Sequence, residues 1–411
     1  MDVMRVLFLH NNFPAQFGPV ARLLADRGHD VAFGTRREVA SPPQWLRVVR
    51  FEPHRPVRKD AHLYLAFVEQ AVLNGQGFAR TAWALKDRGY APDLVVAHSG
   101  WGPGLYVRDV WPDAKYVGYF EWYYRAEGSD VGFLGAPSRD DRHRLRTRNA
   151  AILLDLEACD WGIVPTAYQA AQFPPALRGK LTVQHDGVDT DYFAPRPGRR
   201  LKLPGLDLSA AAEVVTYVAR GMEPYRGFPQ AMEAFARVQQ RRPGAHVVVV
   251  GEDRVAYGRR LPARDSFKKK MLRELEFDPR RLHFTGLLPR DQYRAVLLAS
   301  AVHVYLTVPF VLSWSLIEAL SAGCLVVASD TAPVREVLRD GHNGLLVDFF
   351  DTAGLADRIC DVLERGAAGD EALARVRAGA RRTAVEHYAA SALLPRRAQL
   401  LEAVAAGLLG G

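Results

Sequence analysis

YLTVPFVLSWSLIEALSAGCLVVASDTAPVREVLRDGHNGLLV, residues 305–347, carries two hydrophobic patterns in quick succession. From Ser313 to Ala322 the apolar residues Leu316, Ile317 and Leu320 recur at helical spacing. Gly323 stops that helix. Leu325–Ser329 is too continuously apolar for a strand with one wet face, so it reads as a strand buried on both. A turn over Asp330–Val334, a short helix at Val334–Arg339, a turn at Gly341–Gly344 and a strand at Leu345–Val347 follow. Helix, strand, helix and strand in so short a span define a compact α/β unit. Ser313 and Ser315 are good N-cap types, and the free N–H groups of a helix start suit phosphate. Glu318 projects a carboxylate from the second turn, where it could accept hydrogen bonds from a ribose diol. An ordinary capped helix with a solvated Glu318 fits the same spacing.

Upstream, the pattern repeats. Val214–Val218 reads as a strand, followed by the loop Arg220-Gly221-Met222-Glu223-Pro224-Tyr225-Arg226-Gly227-Phe228 and a helix over Pro229–Gln240. His246–Gly251 is a buried strand, and Glu252–Lys270 a polar insertion whose Lys268–Lys270 run reads as a solvated helix start. Leu282–Thr285 is a strand with exit loop Gly286–Pro289, Asp291–Leu298 a helix and Val302–Leu306 a strand. Beyond residue 347, helices are expected over Thr352–Gly366, Glu371–His387 and Ser391–Leu408.

The first half opens with strand Met4–Leu9, loop His10–Gly18, helix Pro19–Arg27 and strand Asp30–Phe33, without the G-x-G-x-x-G spacing of dinucleotide binding. Lys59–Gly89 reads as mainly helical with a break at Gly75 and Gly77. Asp93–Ala97 and Lys115–Phe120 are strands whose exit loops carry His98 and Glu121. Ser129–Arg148 reads as a mobile loop that turns helical from about Arg142. Strand Asp160–Pro165, helix Thr166–Phe173 and strand Leu181–Val183 close this half. Arg196–Ser209, rich in Pro, Gly and basic residues, reads as the domain boundary.

The residues Glu318, Ala319, Gly323, Val326–Ser329, Glu336, Gly341 and Gly344 resemble the signature of the retaining nucleotide-sugar glycosyltransferases of family 4. That resemblance implies the GT-B fold: two Rossmann-like domains facing across a cleft, with a C-terminal helix crossing back to the first. It implies residues 1–200 as the acceptor domain, 201–386 as the donor domain and 387–411 as the returning helix. It implies that Arg220 and Arg226 grip the donor diphosphate, Glu318 holds the ribose, Ser313 and Ser315 open the phosphate-binding helix, and Gly286 to Leu288 meet the base. Gly18 is carried over as the remnant of a glycine-rich loop near the donor phosphate. The pattern departs from the family where its first signature Glu is replaced by Phe310, and where Glu121 stands in the place of a sugar-facing His. Glu121 and His98 are therefore the catalytic candidates. A surface pairing of Glu121 with Arg125 at i, i+4 is the alternative for the former.

The 411 residues suffice for two domains, and 48% hydrophobic residues for sizeable cores. Cys159, Cys324 and Cys360 have no metal-ligand spacing and sit among apolar residues, which points to buried thiols in a reducing compartment. No signal-peptide pattern or membrane-length apolar run occurs, so a cytoplasmic protein is expected. The net charge of +8 fits phosphorylated ligands or peripheral attraction to anionic lipid, while scattered arginines without an aromatic-basic stripe argue against nucleic acid. Asp189-Thr190-Asp191 spells a metal-binding triplet of other transferases, but falls in a linker-like run. The expected activity is a retaining, metal-independent transfer from a nucleoside-diphosphate sugar, used as co-substrate without a cofactor, to an acceptor. A non-catalytic nucleotide-sugar binder and a nucleotide-sugar epimerase or hydrolase are the rival readings.

Overall fold

The computed structural model describes residues 3–196, 198 and 200–409. Pro197 and Arg199 of the expected boundary, and the outermost residues of the first and last domain ranges, lie outside the described residues. The chain forms two compact units, Met1–Gly187 with Ser391–Gly411, and Val188–Ala390.

The first unit holds β1 (Arg5–Leu9), β2 (Asp30–Thr35), β3 (Leu46–Arg50), β4 (Leu94–His98), β5 (Lys115–Tyr119), β6 (Trp161–Val164) and β7 (Leu181–Val183). They pair in the order β3-β2-β1-β4-β5-β6-β7, all parallel. Alternate residues of β1 feed opposite cores. Val6 and Phe8 pack with Phe17, Leu24, Leu401 and Val404, whereas Leu7 and Leu9 pack with Phe78, Trp111 and Ile152. Burial on both faces is why these strands read as unbroken apolar runs. From Ser391 on, the last helix, Ala390–Ala405, belongs to this unit, where its buried Arg397 pairs with Asp186 at 2.8 Å. Its Glu402 pairs with Arg27 at 2.8 Å.

The helix Ala66–Lys86 runs straight through Gly75 and Gly77, where the sequence suggests a break. A Cβ at Gly75 would lie 2.6 Å from the Gly102 carbonyl oxygen, and one at Gly77 2.4 Å from that of Glu52. Both glycines serve close packing against neighbouring backbone, so the helix accepts their entropic cost. The helix expected from about Arg142 starts slightly earlier, spanning Arg139–Arg148, and is closed at its start by a capping box between Ser138 and Asp141.

The second unit holds β10 (Glu213–Gly221), β11 (Ala245–Glu252), β12 (Leu282–Gly286), β13 (Val302–Tyr305), β14 (Val326–Ser329) and β15 (Leu345–Val347). Their order is β12-β11-β10-β13-β14-β15, again all parallel. Two parallel α/β units of this kind make a pair of Rossmann-like domains. Among the described residues, no helix is long and apolar enough to cross a membrane.

The chain passes between units at Gly187–Val188, ahead of the boundary read from composition. Within that basic, Pro/Gly-rich stretch, residues 201–208 instead form an antiparallel hairpin, β8 (Leu201–Leu203) and β9 (Leu206–Leu208). Leu201, Leu203 and Leu208 are buried against Val248, Val250, Ala295 and Val296. The alternation Leu-Lys-Leu-Pro-Gly-Leu-Asp-Leu encodes it, with Gly205 at φ +77° supplying the positive φ that follows Pro204 in a tight turn. Leu201→Ala should therefore cost about 2–5 kcal/mol, the range for a buried leucine. Denaturant unfolding checks this; a loss below about 0.5 kcal/mol, as at an exposed position, would restore the linker reading.

Candidate active site

Parallel sheets present ligand-binding loops at the carboxyl ends of their strands, above all where the strand order reverses direction. In the second unit that point lies between β10 and β13, in the first between β1 and β4. Arg220, Arg226, Ser313 and His98 lie at or just beyond the carboxyl ends of these strands, whereas Gly286 and Leu288 follow β12 and Glu121 follows β5.

In the second unit, Arg220, next to the last residue of β10, has an exposed side chain that forms no ion pair among the described residues. Arg226 is different. It is buried, and its Nη1 donates to Thr307 Oγ1 at 2.9 Å and to the Val311 carbonyl at 2.9 Å. Its guanidinium lies 5.5 Å from the Tyr257 ring centroid and 5.8 Å from that of Phe310. Phe310 meets Tyr225 and Tyr257 edge-on, at 5.6 and 5.0 Å. Thus the residue replacing an expected carboxylate completes an aromatic enclosure around a buried cation. Ser313 caps the helix Trp314–Ser321, accepting from the Ser315 amide at 3.3 Å and the Ser315 hydroxyl at 2.9 Å. Glu318 accepts from the Tyr293 hydroxyl at 2.6 Å. Burial pushes its carboxyl up, against the opposing pull of Tyr293 and Arg290. Gly286 ends β12 at φ +69° with open space where a Cβ would stand. Leu288, half-buried, packs its side chain against the core under the β8–β9 hairpin.

Sequence reasoning passed over Glu223 and Tyr257. Glu223 is wholly buried, and its Oε2 accepts from the amides of Ala256 and Tyr257, holding the Tyr257 ring against Phe310. Burial raises its carboxyl, and those two amides and Arg226 oppose the shift. No local spacing links residues this far apart.

In the first unit, His98 ends β4 and Glu121 follows β5. His98 Nε2 lies 3.7 Å from Glu121 Oε2. Glu121 to Arg125 form no helix, so the helical pairing of the two does not form. His10, the first residue of the loop after β1, stands edge-on to His98 with ring centroids 4.7 Å apart. Its Nδ1 accepts from the Asn12 amide at 2.8 Å. Asn11 Oδ1 is buried there without a hydrogen-bond partner. Gly18 opens the helix Gly18–Asp26 rather than a glycine-rich loop; a Cβ on it would lie 3.0 Å from Pro14 Cγ. His98, Ser99, Trp101, Glu121, Tyr124 and Arg148 line one pocket of this unit. Among the described residues, no three His, Cys, Asp or Glu side chains are grouped to hold a metal ion.

The two units and their loop placement define the GT-B class of glycosyltransferase. Residues 27–193 match a model described as glycosyl transferase family 4 group, and residues 212–365 one described as glycosyl transferases group 1. The chain belongs to this family of glycosyltransferases. It is 28% identical over 215 residues to a D-inositol 3-phosphate glycosyltransferase of Mycolicibacterium smegmatis, covering 51% of this chain and 46% of that protein. It is 29% identical over 204 residues to a phosphatidyl-myo-inositol mannosyltransferase of Mycobacterium tuberculosis, covering 48% of each. The chain thus matches about half the length of these curated relatives. By fold it is similar to Anabaena HepE, solved with UDP-glucose, with a TM-score of 0.71 and 16% identity over 97% of this chain and 100% of that one. A sucrose-phosphate synthase from Thermosynechococcus elongatus gives a TM-score of 0.70 at 19% identity, over 98% and 100%.

Burial and the neighbouring His98 hold the His10 imidazole down to about 3, from an ordinary 6.5. The unfolded chain takes up this proton below pH 6.5 while the fold refuses it, so stability is complete above pH 6.5 and falls as the pH drops toward 3. At pH 5 the loss should reach about 2 kcal/mol. His10→Asn, whose Oδ1 can replace Nδ1 as acceptor, should reduce the acid sensitivity of urea unfolding by that amount; equal pH slopes in both proteins would refute a neutral, buried His10.

Proposed function

We propose that the chain is a retaining glycosyltransferase that moves a sugar from a nucleoside diphosphate to a hydroxyl acceptor without a metal. The observation that carries this reading is the free, exposed Arg220 at the β10/β13 switch point, with the Ser313-capped helix following β13. The bond from the anomeric carbon to the diphosphate oxygen breaks, and the acceptor oxygen takes its place with configuration kept. The departing diphosphate gains charge, which Arg220 and the helix N–H groups stabilise. Arg226 adds its buried positive charge and braces the loop Thr307–Val311. Glu318, steadied by Tyr293, holds the ribose, and the backbone of Gly286 to Leu288 meets the base. On the first unit, Glu121 takes the acceptor's proton beside His98.

HepE was solved with UDP-glucose, so UDP and UDP-glucose are the first probes. Arg220→Ala should weaken UDP binding by about 1.5–3 kcal/mol, the scale of a charge-assisted contact. Calorimetry reads this, and the same protein should turn over in the presence of a chelator. Unchanged UDP affinity removes Arg220 from the site, and activity restored only by manganese overturns the metal-free mechanism.

Glu121→Gln keeps shape and removes charge. It should lower the catalytic rate by roughly 10²-fold with donor affinity intact, as expected for a proton-transfer group. A variant that keeps most of its rate assigns the proton to another acceptor. Donor hydrolysis undiminished by omitting every acceptor would favour a hydrolase instead.

A further inference from the structure

Asp155 lies on the helix Ala150–Ala158 and is almost fully buried, yet it is remote in sequence from His98 and Glu121. Its Oδ2 accepts from the Ser99 hydroxyl at 2.8 Å and from the Gly100 amide at 3.0 Å. Its Oδ1 accepts from the Tyr116 hydroxyl at 3.0 Å. Three donors converge on one carboxylate in a site without solvent, a strong clamp by virtue of its charge. The cost is visible: burial pushes the Asp155 carboxyl up to about 6, and these three donors and His98 only partly counter it.

What the clamp holds is the turn that follows β4. Gly100 takes φ +82°, and a Cβ on it would meet Ile152 of the same helix at 3.1 Å. The Ser99 amide donates to the Tyr119 carbonyl at 2.9 Å, so the turn is fixed from both sides. Its Ser99 carbonyl oxygen lies 3.0 Å from His98 Nδ1. A carbonyl can only accept, so Nδ1 carries the hydrogen, and Nε2 is the ring atom that faces Glu121.

We propose that Asp155 is a positioning residue that sets the tautomer and orientation of His98 through the Ser99–Gly100 turn. The proposal rests on the reading of His98 as part of the active site, but its geometry is independent of any substrate. A buried carboxylate needed only for stability would leave the His98 tautomer unchanged when removed.

The test uses the whole protein labelled with ¹⁵N-histidine, with His98→Gln to assign the His98 ring signals. Wild type should show His98 protonated at Nδ1. Asp155→Ala should shift the tautomer ratio toward Nε2–H by roughly tenfold, the scale of one lost hydrogen bond. Asp155→Asn keeps an oxygen for Ser99 and Gly100 and should restore the wild-type pattern. Should Asp155→Ala fail to fold, Ser99→Ala removes one of the clamp's donors and should move the ratio in the same direction. Wild-type tautomer ratios in the folded variants overturn the proposal. Turnover of UDP-glucose and affinity for UDP are read in parallel. A shifted tautomer with lower turnover and unchanged UDP affinity supports both ideas. A shifted tautomer with unchanged turnover supports the positioning role while removing His98 from the chemistry.

Discussion

Both large sheets are parallel throughout, and their central strands are buried on both faces. That constraint governs everything polar in the molecule. A strand such as β1, with Val6 to Leu9 wholly enclosed, has no face left for a ligand. Chemistry is confined to the loops at the carboxyl ends, where the chain leaves the sheet and where backbone groups escape the ladder. His10, His98, Arg220 and the Thr307–Ser313 loop all occupy that edge of their own sheet. Their grouping follows from strand order before any side-chain interaction is considered.

Within the second unit the edge is stiffened by a buried ionic and aromatic cluster. Arg226 is far from water, so its charge must be compensated locally. Two oxygens from the loop after β13, the Tyr257 and Phe310 rings and the nearby buried carboxylate of Glu223 share that task. Glu223 in turn holds the segment after β11 by two amides. Loops from three neighbouring strands are tied into one body, while Arg220 stays outside it. The two arginines of one loop thereby take unequal roles, one structural and electrostatic, the other available for direct contact.

The first unit uses a related device with opposite polarity. Asp155 and Asp186 are acceptors at the centres of two small networks, one reaching the His98 turn, the other the Tyr119 hydroxyl at 3.0 Å. Arg397 from the last helix neutralises Asp186, and the Tyr119 ring packs 5.3 Å from His98. The C-terminal helix therefore supports the His98 region through a single buried ion pair as well as through its apolar face. Removing one member of such a pair leaves the other charge buried and uncompensated, the expensive case.

Sequence alone determined the elements whose cause is local. Continuous apolar runs such as Val247–Val250 and Val326–Ala328 announce doubly buried strands, and Ser313 before Trp314 announces a helix start. The spacing of Arg220, Arg226 and Glu318 pointed to the carboxyl edge of the second sheet. Tertiary structure decided whatever depends on partners distant along the chain. Gly75 and Gly77 look like breaks until Gly102 and Glu52 press against them. The stretch after Arg196 looks like a linker because its charge is local, while the core that receives Leu201 and Leu208 is built from β10, β11 and the helix Arg290–Leu298. Arg226 looks equivalent to Arg220 until Thr307 and Val311 claim it. His10, Glu223 and Asp155 gain their significance only from neighbours on other strands and helices. Periodicity and capping are properties of adjacent residues, but burial, pairing and charge compensation are set by which elements the fold brings together.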